Sequence, residues 1–296
     1  MDQNCWLPDE LETHAVDDNR FAQAYEAADD RQRSLLKSSI AALWHLHPPK
    51  RVRLEIKESS WDQGGGALLL NRPLAWAMLC FDASAASPGM VLSALVPALT
   101  AGVPEVAVIG IGPGAFPHSV LTALELAGQE RVFELQEPEA CALTRSMAPA
   151  QSISGIVMCL GREAQAAFSN ARLPVWFPRP SLSGGECQSG YSLGVFLADE
   201  QDYSDRLKHD IDYLLPGIAT EWWSPSGKIG PGKAQRRTGD FALFRESCFD
   251  AVLVPQHYCR SALDAFPVVL GLDRAGQWLW PDLTENHFRL RHAAIF

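Results

Sequence analysis

The stretch SPGMVLSALVPALTAGVPEVAVIGIGPGAF, residues 87–116, reads as a helix, a turn, a strand and a glycine-rich loop in succession. Ser87 is placed to cap the helix, Pro88 suits its first turn, and Val91, Leu92, Leu95, Val96 and Leu99 fall on one apolar face. Gly102 can end that helix in a left-handed conformation that a side chain would resist. The strand VAVI follows, and behind it Gly110, Gly112, Gly114 and Ala115 fit the G-x-G-x-x-A spacing of a dinucleotide loop, with Glu137 as its ribose acceptor. Such a loop works by aiming free amides of a new helix at a pyrophosphate. Pro113 and Pro117 remove donors there and delay the helix, which favours a plain strand-to-helix connection.

Working outward, apolar strands alternate with helices from Leu74 onward. The candidate strands are LAWAMLCF, VAVI, RVFEL, GIVMCL and LGVFLA, and helices are predicted to begin near Pro88, His118, Pro138 and Arg162. This rhythm predicts an α/β fold of mostly parallel sheets with helices on both faces. Before it, residues 17–44 carry Phe21, Tyr25, Leu35, Leu36, Ile40 and Leu43 at helical spacing, the pattern of one or two surface helices. RVRLEIK alternates Val52, Leu54 and Ile56 with charges, predicting a strand with one wet face, and the glycines at 64–66 turn the chain. After residue 200, QDYSDRLKHDIDYLL is amphipathic and precedes a glycine- and proline-rich basic loop. The last third has weaker periodicity, and the repeated strand and helix units are compatible with two related halves.

Composition narrows the function classes. The 296 residues are 47% hydrophobic, enough for a large core in one or two domains. A net charge of -10 opposes binding to a phosphate backbone, so no nucleic-acid partner is expected. No charge occurs over residues 83–104, but Pro88, Pro97, Gly102 and Pro104 punctuate that run, so a buried helix leading to a strand is expected rather than a membrane span. The N-terminal MDQNCWLPDELE lacks the basic and apolar pattern of a secretory signal. Seven cysteines without a C-x-x-C pair suggest neither a disulfide framework nor a thiolate zinc site, and a reducing cytoplasm is the expected setting.

Lesser motifs read blandly. GKIGPGKA matches G-x-x-x-x-G-K, but Ala234 replaces the hydroxyl that would hold magnesium; Lys228, Lys233, Arg236 and Arg237 are left as an anion-binding candidate or a solvated loop. His45 and His47 lie at a helix end with no carboxylate or cysteine close in sequence. His209 can share a helical face with Asp212 as a solvent-facing charge pair. His257 and Cys259, two apart after AVLVP, would share a face if the strand continued, a nucleophile reading set against a structural cysteine.

PGMVLSALVPALTAGVPEVAVI, VLTALELAGQERVFEL and PEACAL, with GIVMCL and SGYSLGVFLADE more faintly, resemble histidinol dehydrogenase over about half the chain. The resemblance implies two incomplete Rossmann-like units of the aldehyde dehydrogenase superfamily kind. It carries the family's functional residues over poorly. Its Tyr-Val-Pro-Gly-Gly loop falls on Leu79–Ala83, its Gly-Gly-Ala-Gln segment on Gln136–Glu139, and its Gly-Pro-Gly-Asn turn near Met158–Gly161. Gly190–Leu193 keeps Gly-x-Ser without the acid, IDYLLPG stands where Gln-Ala-Glu-His-Gly zinc ligands would fall, and Gln256 precedes His257 where a general base is needed. The C-terminal RHAAIF is only loosely like the family's final zinc histidine.

Four expectations follow. The chain divides into residues 1–72, helices and a strand packing on the C-terminal part; 73–180, a Rossmann-like domain; and 181–296, a second α/β region. A small-molecule ligand is expected in the cleft between the units, lined by Asp82, Ser84, Glu139, Ser192 and His257, with Gly110 and Gly112 nearby and His257 as the one catalytic candidate. No cofactor is fixed: NAD(P) remains open, for a zinc-independent oxidoreductase acting on a small alcohol or aldehyde, and zinc is not expected. The other readings are a protein that kept the scaffold without histidinol dehydrogenase activity and an anion-binding enzyme; a homodimer is implied by the resemblance alone.

Overall fold

The computed structural model describes residues 6–49, 54–147, 154–178, 190–232 and 235–296. Val52, Lys233, Ala234, Cys5 and Cys187 lie outside the described residues. The strands are β1 (Glu55–Ser60), β2 (Gly66–Pro73), β3 (Trp76–Asp82), β4 (Glu105–Ile111), β5 (Val132–Leu135), β6 (Gly155–Cys159) and β7 (Val175–Trp176). There follow β8 (Ser192–Phe196), β9 (Ala219–Ser224), β10 (Arg236–Thr238), β11 (Ala251–Val254), β12 (Val269–Gly271) and β13 (Arg289–Ile295). The longer helices are α1 (Asp18–Ala27), α2 (Asp30–Leu46), α3 (Pro88–Thr100), α4 (His118–Leu126), α5 (Glu137–Ser146), α6 (Arg162–Phe168) and α7 (Asp205–Leu214).

Two five-stranded sheets carry the fold, ordered β5-β4-β3-β6-β7 and β10-β9-β8-β11-β12. Every pairing within both is parallel. Each begins at its central strand, runs outward to one edge, then returns to build the other, so the two halves expected from the sequence share one topology. The expected α/β architecture with two Rossmann-like units is the observed one. Parallel strands buried on both faces must be apolar throughout, which is why β3, β4 and β11 stand out in the sequence.

Helix α3 lies between the two units. Ser87 caps it by accepting from the Met90 amide, Pro88 opens it, and Gly102 follows at φ +80. One apolar face was expected, yet nearly the whole helix is buried. Val91, Ala94 and Leu95 enter the core that includes Leu79 and Val108 of the first sheet and Val195 and Leu253 of the second, while Leu92 and Val96 pack with Leu36 and Leu43 of α2. At Gly89 the second unit comes so close that a Cβ would sit 2.6 Å from the Gly276 carbonyl oxygen. Trp280 donates its indole N–H to the Met90 carbonyl at 3.1 Å, joining the last part of the chain to this helix.

The third sheet, β1-β2-β13, is antiparallel and joins residues near both ends of the chain. Here an expectation fails: β1 is not wet on one face only. Ile56–Ser60 are all exposed and Ile56 itself is 57% exposed, because β1 is the edge of a small sheet standing apart from the two cores. No helix among the described residues is long and apolar enough to cross a membrane.

Candidate functional site

Open parallel sheets gather ligands where the chain reverses its direction of winding, outside the carboxyl ends of the strands. In the first sheet that point lies between β3 and β6, and the protein's own atoms occupy it. Asp82, the last residue of β3, turns its carboxylate onto the start of α6 and accepts from the amides of Arg162 at 2.8 Å, Glu163 at 2.9 Å and Ala164 at 3.2 Å. These are the donors a bound phosphate would use. A Cβ on Gly161 would meet the same carboxylate, so the close approach granted by that glycine is taken up by Asp82.

The GIGPGA loop is filled in the same way. Gly112 and Gly114 have φ of +94 and +99, conformations that favour glycine, and a Cβ on Gly112 would fall on the Glu163 carboxylate. Burial, then the charges of Asp82 and Glu137, push the Glu163 carboxyl above its usual range. Gly110 is a packing glycine inside β4, in contact distance of Ala83 and Phe116. Helix α4 starts only at His118, as the two prolines foretold, and the Phe116 amide is spent on Glu134, which also binds Arg20 through both oxygens. A dinucleotide's pyrophosphate would meet acids here rather than free amides.

The second reversal point, between β8 and β11, is closed by turns and rings. Asp202 accepts from the amides of Ala198 at 2.7 Å and Asp199 at 3.2 Å just beyond β8. Phe196 at the end of β8 is packed by Phe241, Phe244 and Tyr258, the last lying 4.2 Å from Phe241 between ring centroids. His257 is exposed beside Tyr258. It belongs to a 3-10 turn, Gln256–Tyr258, so the strand face it was expected to share with Cys259 does not exist; Pro255 stops β11 first. Burial raises the Cys259 thiol above its ordinary range, the opposite of an activated nucleophile.

The remaining candidates are spread apart. Ser192 begins β8 at its amino end, where its hydroxyl and amide both donate to buried Asp250, at 2.9 and 2.8 Å. Glu139 closes the capping box of α5 and lies 3.8 Å from His14. His209 contacts the Asp205 carbonyl, and Asp212 pairs with Lys208 instead of His209. Arg236 donates to the Gly230 carbonyl and Arg237 to Glu221, so both have protein acceptors. Among the described residues no group of three or more His, Cys, Asp or Glu is placed to hold a metal ion, and the residues present do not fit a zinc site.

Of the five side chains named for the cleft, Ser84 is the one placed at a hollow where the two units meet. Ser84, Ala86, Pro117 and Ser119 from the first unit face Asp212, Tyr213 and Gly217 from the end of α7, around about 230 Å³. A Cβ on Gly114 would come within 3.2 Å of Ser84 Cβ, so the glycine loop runs beside this cleft. The Tyr213 hydroxyl is buried without a hydrogen-bond partner, and burial pushes it up to about 12. Sequence reasoning missed the second unit's half of this cleft and the role of Glu163. The proline and glycine ending IDYLLPG were the signal for a turn there, but nothing local shows what the turn faces.

No known family profile matches the sequence, and no curated protein matches it. Solved structures do. The crystal structure of histidinol dehydrogenase from Elizabethkingia anophelis superposes with a TM-score of 0.58 at 11% identity, covering 95% of this chain and 76% of that one. NADP-dependent glyceraldehyde-3-phosphate dehydrogenase from Bacillus halodurans C-125, complexed with NADP, aligns at TM-score 0.34 and 14% identity over 83% of this chain and 51% of its own. The aldehyde dehydrogenase KauB from Pseudomonas aeruginosa aligns at 0.32 and 11%, with the same coverage, so this chain spans about half the length of both. The paired Rossmann-like units and the first of these superpositions together establish that this chain has the fold of histidinol dehydrogenase.

Proposed function

We propose that the protein binds a small metabolite in the cleft between its two units and has no histidinol dehydrogenase activity. The observation that carries this reading is the Asp82 carboxylate on the first turn of α6, an anion of the chain's own in the place of a cofactor phosphate. The carboxylates of Glu163 and Glu137 add negative charge beside it. Ser84 and Ser119 offer neutral hydroxyls and Asp212 an acceptor, a lining suited to a neutral or cationic ligand with donors of its own.

Titration with NADH and NADPH, followed by nucleotide fluorescence, is expected to show no saturable binding, and NAD with histidinol is expected to give no turnover. Saturable binding of either nucleotide would favour the second reading, a zinc-independent NAD(P) oxidoreductase, which the GIGPGA spacing and the scaffold support. The division into residues 1–72, 73–180 and 181–296, and a cytoplasmic setting, belong to the same proposal. Limited proteolysis tests the division through where the first cuts fall.

A further inference from the structure

Side chains alternate between the two faces of the β1-β2-β13 sheet, and the register sorts them. Two rungs share one face: Glu55 with Asn71 and Arg291, and Lys57 with Leu69 and Ala293. A hollow of about 350 Å³ lies over these side chains and has no residue in common with the cleft between the two units. Its polar rung is anchored from the core. Arg289, itself 7% exposed, donates to the Asn71 side-chain oxygen at 2.9 Å and to the carbonyl of Ala101, just past α3. The Asn71 amide group reaches Glu55 at 3.4 Å, and Glu55 pairs with Lys57 at 3.0 Å. Lys57, then Asn71 and Arg289, hold the Glu55 carboxyl below its usual range against the cost of desolvation.

The charges lining the hollow do not cancel. Glu55 answers Lys57, whereas Arg291 meets only the neutral Asn286 side chain, at 3.3 Å, among the described residues. One guanidinium therefore lines the hollow without a carboxylate, in a chain whose net charge is -10. Beyond it the same face becomes apolar: Leu69 is 50% exposed, and the next rung on this face holds Ala67 and Ile295, the latter 76% exposed. We propose that this face binds a small aliphatic carboxylate, its head on Arg291 and Lys57 and its hydrocarbon body along Leu69, Ala293 and Ile295. A guanidinium fork matches a carboxylate in shape, and a single excess positive charge suits a monoanion; a phosphate dianion would set a second negative charge beside Glu55. The hydrocarbon body removes the uncovered leucine and isoleucine from water, which a bare anion cannot do. A neutral alcohol of the same length would leave Arg291 unanswered.

Calorimetric titration with octanoate, kept below its micelle-forming range, is expected to show saturable binding at one site per chain. Acetate, inorganic phosphate and 1-octanol are each expected to bind at least about tenfold more weakly. Arg291→Gln is expected to weaken octanoate about tenfold and Leu69→Ser about fivefold. Far-ultraviolet circular dichroism checks that each variant folds; both side chains are exposed, and Lys57→Gln replaces either that does not. Absence of saturable octanoate binding overturns the proposal. So does binding that both variants leave intact, the sign of another site, or phosphate binding as tight as octanoate, the sign of a site for charge alone. Attachment to phosphatidylglycerol vesicles in place of octanoate binding also overturns it, and marks a membrane-facing surface.

Discussion

Glu163 shows how far a single carboxylate shapes the first unit. It lies over Gly112 and close enough to Asp82 and Glu137 that its carboxyl is held above the usual range, with burial the larger cause. A raised acid favours the folded state below its unfolded pKa of about 4.3, and that advantage is lost as pH rises through the folded value. Glu163→Gln is therefore expected to raise stability at pH 7 by up to about 0.5 kcal/mol after solvent screening, and to give no gain below about pH 4. Urea unfolding at the two pH values measures this; an equal gain at both would show that charge is not the cause. None of it was legible in the sequence, where Glu163 is one acid in REAQAAF and the residues it repels lie far away along the chain.

At the scale of elements, the capping of α6 is the most testable feature. Its own N-cap position is Gly161, which has no side chain to offer, and the cap arrives from Asp82 at the end of β3. Asp82→Ala is expected to cost about 1–2 kcal/mol by leaving helix amides without an acceptor, and Asp82→Asn less, since one oxygen remains. Denaturant unfolding of both variants checks the order. The strands and helices of the first unit were readable because each must be apolar and of helical or extended period. The cap was not, because the residue that supplies it is eighty positions from the helix it serves. The same physics explains β1, whose alternation was visible while its exposure on both faces among the described residues was not.

For the whole molecule, α3 ties the two sheets into one core, so the halves are not expected to unfold separately. Gly89→Ala would drive a methyl toward the Gly276 carbonyl oxygen and to 2.9 Å from Leu215 Cδ2. A cost of about 1–3 kcal/mol is expected, with tryptophan fluorescence and circular dichroism shifting together in one transition. Two separated transitions, with only one shifted, would show that the units are independent. The weak periodicity of the last third has its reason at this scale too: the second unit's strands are short and depend on partners brought by α3 rather than on a strong local pattern.

The pairing of β2 with β13 has a consequence for biosynthesis. A ribosome releases the first of these strands long before it makes the second, so the nascent hairpin of β1 and β2 waits with one edge of β2 unpaired. Deleting the codons of β13 would leave that edge of β2 unpaired for good, an open backbone ladder of the kind that recruits other strands.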